Sequence, residues 1–294
     1  MLGKVGEFDL TQYLMCAEQV ILPSQMQNTS PAPIEDGPLY VGADLGTAYL
    51  VLVVLDKDLQ PVAGEYQFAQ VVKDGLVVDY FGAVDRLKGM KERVEARIGR
   101  TLTEAASSYP PGVPQVEVRA TANVVEAAGF ECVGLVDEPT AANNLLGIRN
   151  GAIVDVGGGT TGIALVEDGD VVYSADEATG GTHFTLVIAG ARDISFEEAE
   201  ELKKTATMQK TLFPVVRPVM EKVGSIVARH LNGRSITGIS LVGGAVCFPG
   251  MAEVVQNYTG IPTSSPEKPL FVTPIGIAMQ HAKMTVEKEN VYGR

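Results

Sequence analysis

The sequence predicts an α/β fold made of two related lobes, on three observations. β-rich and helical stretches alternate from about residue 39 onward. An Asp-Gly-Thr turn between apolar segments occurs twice, once at 44–48 and again at 155–162, which is the mark of a duplicated architecture. Finally, 46% apolar residues against 20% charged over 294 residues is enough to build one large globular unit or two medium domains, and it excludes disorder of the whole chain.

Residues 1–38 read as an N-terminal extension. Its first part, 8–22 (FDLTQYLMCAEQVIL), has the spacing of a short amphipathic helix with Phe8, Leu10, Leu14, Val20 and Ile21 as its apolar stripe; a linker rich in Pro, Ser, Asn and Thr follows. Such a helix either docks on a partner from a flexible tether or folds back onto the body. The body begins near Leu39. LYVGADLGTAYLVLVVLD predicts two strands around a Gly/Thr turn, VAGEYQFAQVV a third strand, and VDYFGAVDRLKGMKERVEARIG a helix. FECVGLVDE reads as a strand, PTAANNLLGI as a helix, and GAIVDVGGGTTGIALVEDGDVVYSADE as strands separated by Gly turns. FEEAEELKK and VMEKVGSIVARHL are helical in pattern, and Pro214 and Pro218 predict a broken or kinked start to the second. A strand (ISLVGG) and two helices (MAEVVQNYTG and IGIAMQHAK) complete the order.

Composition narrows the function. Thirty-six acidic against 23 basic residues give a net charge of −13, and no basic patch interrupts it, so neither nucleic acid nor an anionic membrane surface is an expected partner. The longest apolar run, 49–55, is too short to span a bilayer, and the N-terminus lacks the pattern of a signal peptide. Cys16, Cys132 and Cys247 form neither a CxxC pair nor a zinc-ligand spacing, which suggests a reduced, cytosolic chain.

The two Asp-Gly-Thr turns carry the chemistry. Gly46, Gly157, Gly158 and Gly159 let backbone N–H groups approach phosphate oxygens without a Cβ in the way, and Thr47, Thr160 and Thr161 add hydroxyl donors. Asp44 and Asp155, at the ends of their strands, would face one another and hold a hydrated Mg²⁺. Each turn alone also fits an ordinary hairpin. Gly157, Gly159 and Gly162 match a GxGxxG dinucleotide pattern with Glu177 as the acid, but the β-branched, apolar stretch that follows predicts a strand where that fold needs a helix. No GxxxxGK[ST] loop and no Gly-rich kinase loop with its VAIK-type strand occurs.

DLGTA (44–48), VDEPTAAN (136–143), IVDVGGGTTGIALV (153–166), LVGGAVCFPGM (241–251) and TPIGIAMQ (273–280) stand in the order of the phosphate 1, connect 1, phosphate 2, adenosine and connect 2 motifs. In this the chain resembles the actin, sugar-kinase and DnaK-type chaperone superfamily over about 240 residues. Within it, GGTHFTLVIAG (180–190) followed by ISFEEAEELKK (194–204) resembles the chaperone-like proteins of ethanolamine-utilisation and related bacterial microcompartment operons.

The resemblance implies a two-lobed actin-like ATPase fold, with duplicated ribonuclease-H-like domains and ATP·Mg²⁺ between them. Lobe I would run from 39 to 138, a connecting helix from 139 to 149, lobe II from 150 to 272, and a second connecting helix from 273 back onto lobe I. It implies that Asp44 and Asp155 are the metal-associated acids and that Glu138 positions the hydrolytic water. Gly46, Thr47, Ala48, Gly157, Gly158, Gly159, Thr160 and Thr161 would meet the phosphates; Gly180, Gly181, Gly243, Gly244 and Ala245 would border the rest of the nucleotide. As a purely structural alternative, Glu138 complements a helix dipole and Pro139 suits the first helical position.

Two departures qualify this. Thr182 and His183 replace an acidic pair of DnaK and MreB relatives, and His183 is expected as a solvent-facing residue at a helix start. About 36 residues separate Lys204 from the adenosine strand, so the small second subdomain is reduced or missing, and with it the charges that clamp adenine; weak affinity or slow turnover follows. The sequence ends soon after connect 2, so a DnaK-type peptide-binding domain is not expected. The implied function is an ATP-binding, slowly hydrolysing chaperone-like accessory protein whose partners are microcompartment enzymes or shell proteins. The N-terminal helix would then resemble the targeting helices of microcompartment cargo. An MreB- or ParM-like filament protein is the alternative; a small-molecule kinase would need an Asp base and a substrate lobe that the length does not supply.

Overall fold

The structure, a computed structural model, describes residues 9–23, 36–73 and 76–292. Helix α1 (Leu10–Val20) starts at Asp9, whose carboxylate accepts the Gln12 N–H at 3.1 Å. It leads into a short strand β1 (Ile21–Pro23). Then come β2 (Tyr40–Leu45), β3 (Tyr49–Leu55), β4 (Pro61–Phe68) and the short β5 (Val72–Lys73) and β6 (Leu76–Val77). The first lobe continues through α2 (Tyr80–Ile98), β7 (Glu104–Tyr109), α3 (Gln115–Ala127), β8 (Glu131–Asp137) and α4 (Glu138–Leu146).

The second half repeats the plan: β9 (Gly151–Val156), β10 (Thr161–Glu167) and β11 (Asp170–Glu177), then α5 (Gly181–Arg192), α6 (Phe196–Lys204) and α7 (Ala206–Leu231), then β12 (Ile239–Val242), α8 (Met251–Thr259), β13 (Thr263–Ser264) and α9 (Val272–Tyr292). Lobe I's strands lie in the order β1-β4-β3-β2-β7-β8, those of lobe II in the order β11-β10-β9-β12-β13. Without β1 the two orders are the same: an antiparallel meander of three strands, then two parallel additions. The echo in the sequence is thus an echo in topology.

The strands β3 and β9 are buried along almost their whole length, as their unbroken apolar runs require. Helices α2 and α3 cover one face of the first sheet through Ala83, Leu87, Met90 and Val124. In lobe II, α5 to α8 do the same, with Phe184, Leu212, Val216 and Met220 inside. A third apolar cluster joins the lobes: it holds Val51 and Val53 of lobe I, Ile153 and Val242 of lobe II, and Val272 and Ile275 of α9.

Two findings differ from the sequence reading, and a third decides between two alternatives it left open. Helix α7 runs unbroken through Pro214 and Pro218. Both prolines are exposed and four residues apart, opposite the buried row Leu212, Val216 and Met220, so the carbonyls they leave unpaired are solvated and packing on the other side keeps the helix together. Strand β7 and helix α3 are unanticipated: EAASSY has neither alternation nor large apolar side chains, and it is a strand because it lies buried between β2 and β8. The N-terminal helix is folded back, with Tyr13, Leu14 and Ala17 buried in the cluster that joins the lobes and β1 paired to β4. Its stripe is thereby occupied within the molecule; Phe8 lies outside the described residues. Between β11 and β12 there are helices only, in agreement with a reduced second subdomain.

Helices α4 and α9 cross at Gly276. A Cβ there would stand 1.8 Å from the Ala141 carbonyl oxygen, so no side chain fits without separating the helices. Gly276→Val is expected to lose more than about 3 kcal/mol of stability in urea unfolding, whereas Gly190→Ala, in open space on α5, should be neutral or slightly stabilising.

Candidate nucleotide site

Both Asp-Gly-Thr turns are hairpin tips, β2–β3 in lobe I and β9–β10 in lobe II, and the fold brings them tip to tip. A Cβ on Gly158 would stand 2.6 Å from the Ala48 Cβ, and one on Gly159 would stand 2.9 Å from the Thr47 side chain. The lobe II tip closes with the Gly157 N–H donating to the Thr160 carbonyl at 3.0 Å. Behind it, the first turn of α5 donates Gly181 N–H to Gly157 O (2.9 Å) and Thr182 N–H to Gly158 O (2.7 Å). In a trans peptide the next N–H points opposite to the carbonyl. The amides of Gly158 and Gly159 are therefore turned away from α5, toward the cleft those residues line.

That cleft, about 750 Å³, lies between the lobes. Asp44, Glu138 and Asp155 line it, as do Gly46, Thr47 and Ala48 from one tip and Gly157, Gly158, Gly159 and Thr160 from the other. Gly181, Gly243, Gly244 and Ala245 form a further wall. Two of the residues singled out in the sequence stand behind the wall. Thr161 is fully buried with its hydroxyl donated to the Thr179 carbonyl at 2.6 Å. Gly180 packs against the back of the lobe II tip, where a Cβ would stand 2.6 Å from Gly157 O. His183 is at the start of α5, half-buried, with Nδ1 accepting the Gly180 N–H at 3.2 Å; it caps the helix.

The three acids come from three different elements. Asp44 is on β2 and Asp155 on β9. Glu138 opens α4, whose cap is Asp137 accepting the Thr140 N–H at 3.0 Å, so Pro139 sits one position further in than the sequence suggested. Thr273, at the start of α9, donates its hydroxyl to Asp155 at 2.7 Å. Gly243, at φ +95, fits against the same carboxylate: a Cβ would stand 2.2 Å from Asp155 Oδ1. Burial and the charge of Asp155 push the Asp44 carboxyl up to about 7, against a lowering contribution from Ser108. Glu138 is raised well above the carboxylate range by burial first, then by Asp155, Asp44 and Asp176. Asp155 is raised by burial, with the Thr273 hydroxyl opposing.

Sequence reasoning missed the charged side of the cleft. Glu200, Lys203 and Lys204 of α6 line it, although the shortened subdomain had suggested that such charges would be absent. Lys203 donates to Glu200 at 2.6 Å and to the Thr185 hydroxyl at 2.9 Å. Their spacing, three residues apart on one helix face inside FEEAEELKK, was the available signal. Across the mouth, the Lys204 ammonium lies 5.8 Å from the centre of the Phe68 ring on β4, beside Tyr49. Thr273 was hidden inside a motif taken only as a connector.

Two lobes of one topology, with paired acid-and-glycine hairpins facing across a single cleft, define a protein of the actin-like ATPase fold. Ethanolamine utilization protein EutJ of Escherichia coli (strain K12) is 46% identical over 252 residues, 85% of this chain and 88% of that protein. The chain belongs to the EutJ family. Its counterpart from Salmonella typhimurium (strain LT2) is 44% identical over 89% of this chain and 94% of that protein. A family model described as "Type IV pilus assembly protein PilM" matches residues 91–273, so the chain belongs to that broader family as well. Among solved structures, EutJ from Carboxydothermus hydrogenoformans superposes with a TM-score of 0.85 at 44% identity, covering 92% of this chain and 98% of that one. MreB5 of Spiroplasma citri bound to AMPPNP shares the fold, with a TM-score of 0.71 at 19% identity over 87% of this chain and 100% of that one.

The raised carboxyls make a prediction for the ligand-free protein. Asp44 takes up its proton at higher pH in the folded state than in the unfolded state, so its contribution favours folding at low pH and is lost as pH rises from about 4 to about 7. Urea midpoints should fall over that window, and Asp44→Asn should flatten the slope, with an upper figure of about 4 kcal/mol for the difference. An equal slope in the parent and Asp44→Asn would count against it.

Proposed function

We propose that this chain binds ATP with Mg²⁺ in the interlobe cleft, hydrolyses it slowly, and couples nucleotide state to the angle between the lobes as a chaperone-like accessory protein of ethanolamine-utilisation or related microcompartment operons. The observation that carries the reading is the convergence of Asp44, Asp155 and Glu138 with both hairpin tips on one cleft whose volume is in the range of small-molecule sites. The family supports the operon context; MreB5, of the same fold, is known with AMPPNP and with ADP.

The residues fit a hydrated divalent cation. Asp155 is buried and Asp44 and Glu138 are half-buried, and the charge of Asp155 raises the proton affinity of the other two, a crowding of carboxyls that a cation relieves. Among the described residues no three His, Cys, Asp or Glu side chains converge as a direct ligand set, so Asp44 and Asp155 would hold the ion through its water shell. When bound, the ion supplies the charge that neutralises the phosphates. The chain's own part is otherwise positional. Gly158 and Gly159 present amides to phosphate oxygens, Thr273 fixes the rotamer of Asp155, and Glu138 orients the attacking water and accepts its proton. Burial first, and then the neighbouring Asp155 and Asp44, raise the proton affinity of Glu138, which suits a group that takes a proton from water.

The lobe contacts suit closure. Lys204 against Phe68 and Tyr49 spans the mouth, while the α4–α9 crossing serves as the hinge. Enzymes and shell proteins of a microcompartment are the proposed partners, in a cytoplasmic setting; among the described residues no helix is long and apolar enough to cross a membrane.

Isothermal titration with ATP in Mg²⁺ should give saturable binding that Asp155→Asn abolishes. Glu138→Gln should keep that binding and slow phosphate release by about a hundredfold. An unaltered titration with Asp155→Asn would overturn the site. The MreB-like fold favours a second reading, in which ATP controls filament assembly. Sedimentation with ATP·Mg²⁺ separates the two, since a filament pellets.

A further inference from the structure

The N-terminal helix reaches the same cleft. Glu18 of α1 lines it, beside Cys247 and Leu270. On the lobe I side α1 is anchored by the pairing of β1 with β4 and by the Tyr13 hydroxyl, which donates to the Leu59 carbonyl at 2.6 Å. On the lobe II side its Glu18 carboxylate meets the Lys268 ammonium at 2.7 Å. Between these ends, Tyr13, Leu14 and Ala17 are buried in the apolar cluster shared by both lobes. The helix is therefore tied to each lobe by separate contacts.

The Lys268 end connects to the site. Lys268 has a left-handed backbone, φ +52, at the start of the 3-10 turn Pro269–Phe271. A non-glycine residue in that conformation needs its surroundings to hold it there. The next residue, Pro269, accepts the Gly243 N–H at 3.1 Å, and Gly243 is the residue that fits against Asp155. A short chain of contacts thus runs from Glu18 through Lys268 and Pro269 to the glycine turn Gly243–Gly244 on the cleft wall.

We propose that α1 is a strap across the cleft and that Glu18, acting through Lys268, is a positioning residue that holds the Gly243–Gly244 turn in place against bound nucleotide. The inference rests on the nucleotide reading above and adds a third wall, from the N-terminal segment, to a site otherwise made by the two lobes. Glu18 and Lys268 are both partly exposed, so the ion pair alone is weak, and the effect is read in the residence time of the nucleotide rather than in its presence.

The test compares the parent chain with Glu18→Lys, Lys268→Glu and the charge-reversed pair E18K/K268E, using a fluorescent ATP analogue with Mg²⁺. Each single variant should release the analogue about fivefold faster, and the reversed pair should return toward the parent rate. The two single variants change net charge in opposite directions, so a general electrostatic effect on an anionic ligand would move them apart while loss of the latch moves them together. Thermal midpoints should shift by about 3 °C at most. Hydrogen exchange at the Gly243 and Gly244 amides, measured without nucleotide, should be faster in both single variants and restored in the pair. Unchanged exchange and release in the single variants, or a reversed pair no better than either, overturns the strap. If the parent binds no ATP analogue, the nucleotide reading fails, and the exchange comparison still decides whether Glu18 positions that turn.

Discussion

The crossing of α4 and α9 at Gly276 is the constraint on which the site depends. Glu138 is the first residue of one helix and Thr273 the second of the other, and Thr273 in turn fixes Asp155. A helix pair that approaches until a carbonyl occupies the place of a Cβ has only one register available to it. The Asn144 side chain reinforces that register by donating to the Gly276 carbonyl at 3.1 Å and to Gln280 at 3.0 Å. Moving either helix by a turn would carry Glu138 or Thr273 out of the cleft. Rotation about the crossing, by contrast, would change the lobe angle while leaving each acid on its own element, which is the property the proposed hinge requires.

Around that crossing the molecule keeps like charges close together. Asp44, Asp155 and Glu138 are held by strands and helices whose stability comes from elsewhere, chiefly the two lobe cores and the apolar cluster between them. Such an unfavourable charge arrangement does not serve the stability of the fold, which is what the proposed ligand site would lead one to expect. The glycine tips are part of the same design. They let two hairpins approach without side chains between them, so the space they border is lined by backbone rather than filled by it.

Much of this was legible in the sequence because it is local. DLGTA and DVGGGTTG each specify a tight hairpin by their own residues, and the apolar runs on either side fix strands that need no partner to be recognised. The duplicated sheet order could be anticipated from the echo alone. What was not legible depends on tertiary contact. Strand β7 carries Ala and Ser where a strand pattern expects large residues, and only its neighbours make it one; the Ser107 hydroxyl donates to the Ala43 carbonyl at 2.5 Å. Pro214 and Pro218 read as breaks because their exposed side cannot be known from composition. Glu200 and Lys203 stood in a helical stretch and Glu18 in an N-terminal extension whose docking was left open, and nothing local says that a cleft lies beside them.

Strand β1 also has a bearing on solubility. It covers Gly64, Glu65 and Tyr66 at the centre of β4, which would otherwise be the free border of the lobe I sheet. An uncovered strand border offers its unpaired amides and carbonyls to any extended chain, including another copy of the same protein. A shortened chain that starts at Leu39 would keep every motif of the cleft and yet expose this border, so it would be prone to self-association for a reason unrelated to nucleotide. The short strand Ile21–Pro23, easily mistaken for part of a dispensable leader, thus closes a border through which one molecule could otherwise pair with the next.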